Sequence, residues 1–174
     1  MKLILSDIPL HVDLSGIQDA HFVDLSQLDI SHCIGCFGCW VKTPGKCVIR
    51  DDATKVYPLI AQSEKIIYIS HIQYGGYDTV MKTLLERSIP IQKAFLRLHH
   101  GETHHVQRRV AEKDAVIFAY GSCSPQEQEL FTHLVRRNSE NMLYRSYRIH
   151  FMSPEELEQA VNEEVAEWKN EWWS

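Results

Sequence analysis

Two short, almost uninterrupted apolar runs constrain the fold of this chain most strongly. They are KIIYISH at residues 65–71 and AVIFAYG at residues 115–121. A strand of a parallel sheet that is buried on both of its faces has this composition, whereas a strand with one solvent-exposed face alternates apolar and polar residues. Amphipathic segments with apolar residues at helical spacing surround both runs. The pattern therefore predicts an α/β protein with a mostly parallel sheet.

Five strands are predicted to alternate with helices along the chain. The other strands are expected at residues 2–7, 21–26 and 142–151, and the helices at 51–63, 77–87, 125–138 and from 153 onward. Because parallel crossovers are right-handed, the simplest arrangement is a three-layer flavodoxin-like fold with a five-stranded parallel sheet in the order 2-1-3-4-5. We expect one such domain over residues 1–174, with a Cys-rich loop at 32–50 and a C-terminal helix at 153–173.

The charge and the hydropathy pattern exclude several classes of partner. The formal net charge is −5 and the chain has no long basic run, which argues against nucleic acid or an anionic membrane as the main partner. The apolar runs are too short to span a bilayer, and no signal-peptide core follows the first methionine. We therefore expect a cytoplasmic protein, in which the five cysteines stay reduced.

Four of the five cysteines lie within fifteen residues. Cys33, Cys36 and Cys39 form a C-x2-C-x2-C pattern, and Cys47 follows. This spacing resembles the start of a ferredoxin loop, in which soft thiolates hold an iron-sulfur cluster. Three alternatives remain: reduced or oxidisable thiols without a metal, a zinc site, or a disulfide. Structural zinc sites usually separate two C-x2-C pairs by a longer stretch.

Two longer segments resemble a known family. CIGCFGCWVKTPGKCVIRDD at 33–52 and ISHIQYGGYDTVMKTLLERSIP at 69–90 resemble the flavodoxin-like NAD(P)H-dependent FMN reductases, in the branch related to the iron-sulfur flavoproteins. The resemblance covers roughly residues 30–125. The positions that match the family pattern outside the cysteines are Ser70, Gly75, Gly76, Tyr77, Met81, Lys82, Glu86 and Arg87.

The resemblance implies a function and a set of cofactors. It implies an FMN-dependent NAD(P)H oxidoreductase that passes electrons to a quinone, a nitro compound or an iron-sulfur centre, as a homodimer or homotetramer. It also implies that the four cysteines hold a [4Fe–4S] cluster. The residues expected to contact the flavin are His71, Ile72, Gln73, Tyr74, Gly75, Gly76, Tyr77, Gly121 and Ser122. No side chain stands out as a catalytic acid or base.

The connection after the first strand departs from the family. Residues 8–20 span thirteen positions and lack the Ser/Thr-rich loop with which the family wraps the FMN phosphate. The alternative function is therefore a flavodoxin-like scaffold without flavin that acts as a redox-sensing or binding subunit. In that case Gly75-Gly76 is a plain strand-to-helix turn, and Ser124 with Pro125 simply begins a helix.

Two further groups of polar residues receive structural interpretations. The four histidines of HHGETHH at 99–105 could bind a metal, but the segment is better explained as a solvated loop. Asp51 and Asp52 are interpreted as charges at a helix N-terminus, where the helix dipole favours carboxylates. The C-terminal Trp168, Trp172 and Trp173 are expected to cover a core or a subunit contact.

Overall fold

The computed structural model describes residues 1–169 and shows a parallel sheet with an added hairpin. The strands are β1 (Lys2–Ser6), β2 (Ala20–Asp24), β3 (Lys65–Gln73), β4 (Gly76–Tyr77), β5 (Gln92–His99), β6 (Glu102–Gln107), β7 (Lys113–Tyr120) and β8 (Tyr144–Met152). β2, β1, β3, β7 and β8 lie side by side in that order, and each neighbouring pair is parallel. Counting only these five strands, the order is 2-1-3-4-5, so the predicted flavodoxin-like fold is confirmed.

Helices cover both faces of this sheet. They are α1 (Gly38–Val41), α2 (Ala53–Gln62), α3 (Thr79–Arg87), α4 (Pro125–Met142) and α5 (Leu157–Glu167). A short 3-10 turn at Pro154–Glu156 precedes α5, and another at Ile89–Ile91 precedes β5. The predicted helix at 153–173 is thus a capped 3-10 turn followed by α5, and Trp172 and Trp173 lie outside the described residues. Trp168 is buried, as expected, at the end of α5.

The first crossover contains no helix. The segment between β1 and β2 is extended, and its alternate apolar side chains pack on the sheet face that α5 also covers: Ile8, Leu10, Val12 and Leu14. α5 holds this segment directly, because the His11 amide donates to Glu158 at 3.0 Å and the Asp13 amide donates to Asn162 at 2.8 Å. One outer layer therefore consists of α5 and an extended segment, while α2, α3 and α4 form the other.

The histidine-rich segment is not a loop. Residues on both sides of His100 and Gly101 pair as the antiparallel hairpin β5–β6, with His99 opposite Glu102. His100 and Gly101 have φ angles of 48° and 81° and form the turn, a conformation that suits the twist of paired strands. The expectation of a solvated loop was wrong because the strand pattern of FLRL continues into the histidines.

Lys113 is a fully buried cation at the start of β7. Burial and then the nearby Arg145 charge lower the pKa of Lys113 to about 8, and its ammonium donates to the Ala111 carbonyl at 2.6 Å. Its ordinary pKa is 10.5, so between pH 8 and 10.5 the unfolded chain binds more protons and this lysine makes stability rise with pH.

We expect Lys113→Met to raise the free energy of unfolding at pH 7 by roughly 1–3 kcal/mol, because the charged amine no longer has to be buried. The gain over wild type should shrink towards pH 10, where the wild-type amine is neutral in the fold. Urea unfolding at pH 7 and pH 9.5 measures this. Lys55→Met, at an exposed lysine, is the control and should change stability by less than about 1 kcal/mol. A Lys113 variant that is destabilised equally at both pH values would contradict the expectation.

Candidate functional site

The four clustered cysteines line one small cavity. Cys33 and Cys36 are exposed, Cys39 and Cys47 are half-buried, and all four are free thiols. The other residues around the cavity are mostly apolar and include Ile49, Ile89, Phe37 and Trp40. An apolar wall limits access of water to whatever the sulfurs hold, which is how proteins tune the potential of a metal centre.

Backbone geometry brings the cysteine loop into this compact form. Gly35 and Phe37 have positive φ angles of 63° and 54°, so the chain coils between Cys33 and α1. Gly38 begins α1, and a Cβ atom there would stand 2.6 Å from Val48, so only glycine lets the two halves of the loop meet. The Trp40 indole donates to the Gln92 carbonyl at 3.1 Å, which fixes the loop to the base of the β5–β6 hairpin.

A buried arginine holds the far end of the same loop. The Arg87 side chain at the end of α3 is 1% exposed and donates to both carboxylate oxygens of Asp51, at 2.6 and 2.9 Å. It also donates to the Ser31 carbonyl at 2.6 Å and lies 3.4 Å from the Cys47 sulfur. Asp51, interpreted from sequence as a helix N-terminal charge, is therefore chiefly the partner of Arg87, while Asp52 occupies the N-cap position of α2.

The electrostatics of the loop favour a bound cationic centre. Burial, and then the neighbouring Cys47, Cys33 and Cys36, raise the pKa of the Cys39 thiol, so ionised thiolates repel one another here. Cys33, Cys36, Cys39 and Cys47 line one cavity. Four soft thiolates are the ligands that an iron-sulfur cluster takes, so this donor set fits that group.

The segments expected to contact a flavin lie together at the carboxyl edge of the sheet. β3 and β4 form a hairpin in which Ile72 pairs with Tyr77 and Gln73 with Gly76. Tyr74 and Gly75 make its turn with φ angles of 54° and 71°. Ile72, Gly75 and Tyr77 are buried, whereas the side chains of Gln73 and Tyr74 are exposed.

His71 links the two predicted flavin segments. A Cβ atom at Gly121 would lie 2.6 Å from the His71 ring, so this glycine admits the imidazole. The other side of the ring is fixed, since Nδ1 lies 2.9 Å from Asp78. Ser122 follows in an exposed position, and Ser124 caps α4 together with Glu127, in agreement with the alternative that this stretch begins a helix.

The group at the centre of this edge is a carboxyl to which the sequence assigned no role. Asp7, at the end of β1, is 8% exposed and accepts hydrogen bonds from the Tyr120 hydroxyl, the Ser70 hydroxyl and the His71 amide, at 2.8, 2.9 and 2.8 Å. Burial raises the pKa of this carboxyl, and the hydrogen bonds oppose the shift. Its position directly after strand 1 places Asp7 near the point where neighbouring crossovers diverge, but its partners Ser70 and Tyr120 are too far away in the sequence to be predicted.

This edge does not fit the phosphate of FMN within one chain. The place after β1 where the resembled family binds the phosphate carries the Asp7 carboxylate, which would repel it. The segment that follows is extended and held by α5, so it offers no helix N-terminus with free amides. The β3–β4 turn, Gly121 and Ser122 form the remaining part of this edge.

Comparisons with known proteins agree with the family resemblance and with the fold. The chain is 32% identical over 77 residues to an iron-sulfur flavoprotein of Methanocaldococcus jannaschii, which is 44% of this chain and 39% of that protein. It is 35% identical over 68 residues to an iron-sulfur flavoprotein of Archaeoglobus fulgidus. These residues are 39% of this chain and 30% of that protein. The resemblance to the iron-sulfur flavoproteins is confirmed. The matches span well under half of these iron-sulfur flavoproteins, and no profile of a known protein family matches the chain.

Solved structures show the fold over the whole chain. An FMN-dependent NADH-azoreductase from Bacillus anthracis superposes with a TM-score of 0.57, with 12% identity and 99% of each chain covered. An NAD(P)H:quinone oxidoreductase from Methanothermobacter marburgensis superposes with a TM-score of 0.56 and 10% identity. The superposition covers 97% of this chain and 94% of that chain. The chain thus combines a resemblance to the iron-sulfur flavoproteins with a flavodoxin-like fold. Within residues 1–169, no helix is long and apolar enough to cross a membrane.

Proposed function

We propose that this protein is a cytoplasmic oxidoreductase of the iron-sulfur flavoprotein type, built as one flavodoxin-like domain. It takes electrons from NAD(P)H through FMN and passes them to a quinone, a nitro compound or an iron-sulfur centre. The observation that carries the proposal is the convergence of Cys33, Cys36, Cys39 and Cys47 on one apolar cavity. The fold, shared with FMN-dependent reductases, supports it.

The cysteine loop supplies the ligands in this proposal. A bound cluster would exchange single electrons. The four thiolates bring negative charge, and the Arg87 guanidinium beside Cys47 offsets part of it inside the protein. The apolar side chains of Ile49 and Ile89 keep water from the inner side of the loop. Cys33 and Cys36 face solvent, so the exposed side is the one where a redox partner would approach.

FMN binding requires a second subunit in this proposal. Residues 71–77, with Gly121 and Ser122, form the proposed contact surface for the flavin ring. The segment after β1 does not provide a binding site for the FMN phosphate. A homodimer or homotetramer would supply it from a neighbouring chain. The β5–β6 hairpin supports self-association, because it carries three large apolar side chains that are 62–78% exposed: Phe95, Leu96 and Leu98. An exposed apolar patch of this kind is typical of a protein contact.

The second candidate function is a redox-sensing or binding subunit without flavin. The Asp7 network favours it, since three hydrogen bonds already satisfy the polar groups at the point where a flavin phosphate would enter. In this case the cysteine loop would be the redox-active part of the molecule.

Protein purified without oxygen distinguishes these functions. The proposed oxidoreductase should contain about four irons and four sulfides per chain, retain FMN after desalting, and elute as an oligomer from a sizing column. Flavin absorbance should bleach when NADPH or NADH is added. An iron-loaded protein that takes up no added FMN would support the flavin-free subunit instead. A colourless protein without iron that takes up no added FMN would contradict the oxidoreductase and leave the flavin-free subunit, with cysteines that hold no metal.

A further inference from the structure

A second group of metal-binding side chains lies far from the cysteines along the chain. His99 and His100 on the β5–β6 hairpin face Glu140 near the end of α4. His99 Nε2 lies 3.2 Å from Glu140 Oε2, and His100 Nδ1 lies 2.8 Å from the same oxygen. The two imidazole rings stack with centroids 4.0 Å apart, and the ligand atoms of all three residues lie within 4.8 Å of one another.

The backbone holds these three residues in place. The tight turn at His100 and Gly101 directly follows His99, and the rings of His99 and His100 stack there. Two hydrogen bonds then fix the hairpin to α4: Gln107 donates to the Asn141 carbonyl at 2.6 Å, and a His104 ring nitrogen lies 3.0 Å from the Asn141 side-chain oxygen. The group is therefore arranged by contacts that do not involve its own side chains.

We propose that His99, His100 and Glu140 form a binding site for one divalent transition-metal ion of the zinc class. Bonds of about 2.0–2.1 Å in a tetrahedral site place neighbouring ligand atoms about 3.3 Å apart. The distance from His99 to Glu140, 3.2 Å, matches this value, and the distance from His100 to Glu140, 2.8 Å, is shorter. Imidazole with a carboxylate suits zinc, nickel and copper better than calcium or magnesium.

The fourth position of this site is open to solvent. A cavity of about 300 Å³ adjoins the three ligands and is also lined by Glu112, Tyr144 and others. Glu112 precedes β7 and Tyr144 begins β8, so the site lies at the amino edge of the sheet. The predicted flavin contacts follow β3 and β7 at the opposite, carboxyl edge. The metal site is thus separate from the proposed flavin contacts, and its ion joins the hairpin to α4.

Zinc titration tests the proposal while allowing for metal bound by the cysteines. Wild type, His99→Gln/His100→Gln and the control His133→Gln, at an exposed histidine of α4, are stripped with chelator and titrated with zinc chloride. Bound zinc is counted after gel filtration. We expect the double variant to bind one ion fewer per chain than wild type and His133→Gln. Zinc held by cysteines is the same in all three proteins, so the difference reports the histidine site.

Thermal unfolding gives the second measurement. Zinc at about a hundredfold excess over its dissociation constant should raise the melting temperature of wild type by about 5–10 °C more than that of the double variant. Glu140→Gln should behave like the double variant and serves in its place if the latter melts earlier without metal. Equal zinc content and equal thermal shifts in wild type and both variants would overturn the proposal.

Discussion

Cys36→Ala protein purified without oxygen is expected to lose most of its iron and its broad visible absorbance. Cys36 stands in the middle of the C-x2-C-x2-C pattern and is exposed at the mouth of the cavity. Removal of one thiolate leaves one cluster iron without its protein ligand, and this iron is then open to solvent and more easily lost. We expect iron to fall from about four per chain to well below one.

Cys123→Ala is the matched control for this experiment. Cys123 is also a free, half-buried thiol, but it lies after β7 and packs against the core outside the cysteine cavity. Its loss should leave iron content and absorbance unchanged. If Cys36→Ala and wild type have the same spectrum and iron content, the cavity does not hold a cluster. If both variants lose iron, the loss reflects general instability, and circular dichroism of the two proteins would show it.

The sheet could be predicted from the sequence because its signal is local. The runs at 65–71 and 115–121 are apolar at nearly every position, and the structure buries them in the two central strands. Right-handed crossovers then leave few strand orders open. The C-terminal helix was also recognisable from a local signal, since Ser153 and Glu156 form the reciprocal cap that their spacing indicates.

The contacts that shape the two candidate sites could not be predicted, because they join distant residues. Asp7 meets Ser70 and Tyr120 across 63 and 113 positions. Residues 8–19 contain enough apolar positions for a short amphipathic helix, yet they pack as an extended segment because α5 already covers that face of the sheet. The hairpin with His99 and His100 was missed because its histidines are polar in sequence, although half of the residues of β5 are apolar.

Arg87 matches the pattern of the resembled family, but the pattern does not explain why an arginine stands at this position. In the structure this arginine connects α3 with Cys47 in the cysteine loop and with Ser31 and Asp51, which flank the loop on its two sides. Burial alone would raise the pKa of Asp51, yet the bonds from Arg87 and the Ser31 amide hold that pKa below its usual value. The carboxylate is therefore charged at neutral pH and depends on the arginine for compensation.

We expect Arg87→Met to lower the free energy of unfolding by roughly 3–5 kcal/mol, because it leaves a buried carboxylate without its counter-charge. Urea unfolding at pH 7 measures the loss. Lys82→Met is the control, since Lys82 forms an exposed ion pair with Glu86 one turn earlier on the same helix and should cost less than about 1 kcal/mol.

A double variant separates charge compensation from packing. Arg87→Met/Asp51→Asn removes both charges, so it should recover a large part of the stability that Arg87→Met loses. The cysteine loop would still lack its connection to α3 through Ser31 and Cys47, and we therefore expect iron loading to stay below that of wild type even where stability returns. Equal unfolding energies for Arg87→Met and Lys82→Met would show that the buried pair does not hold the loop. Full iron loading in the double variant would show that Arg87 serves only to neutralise Asp51.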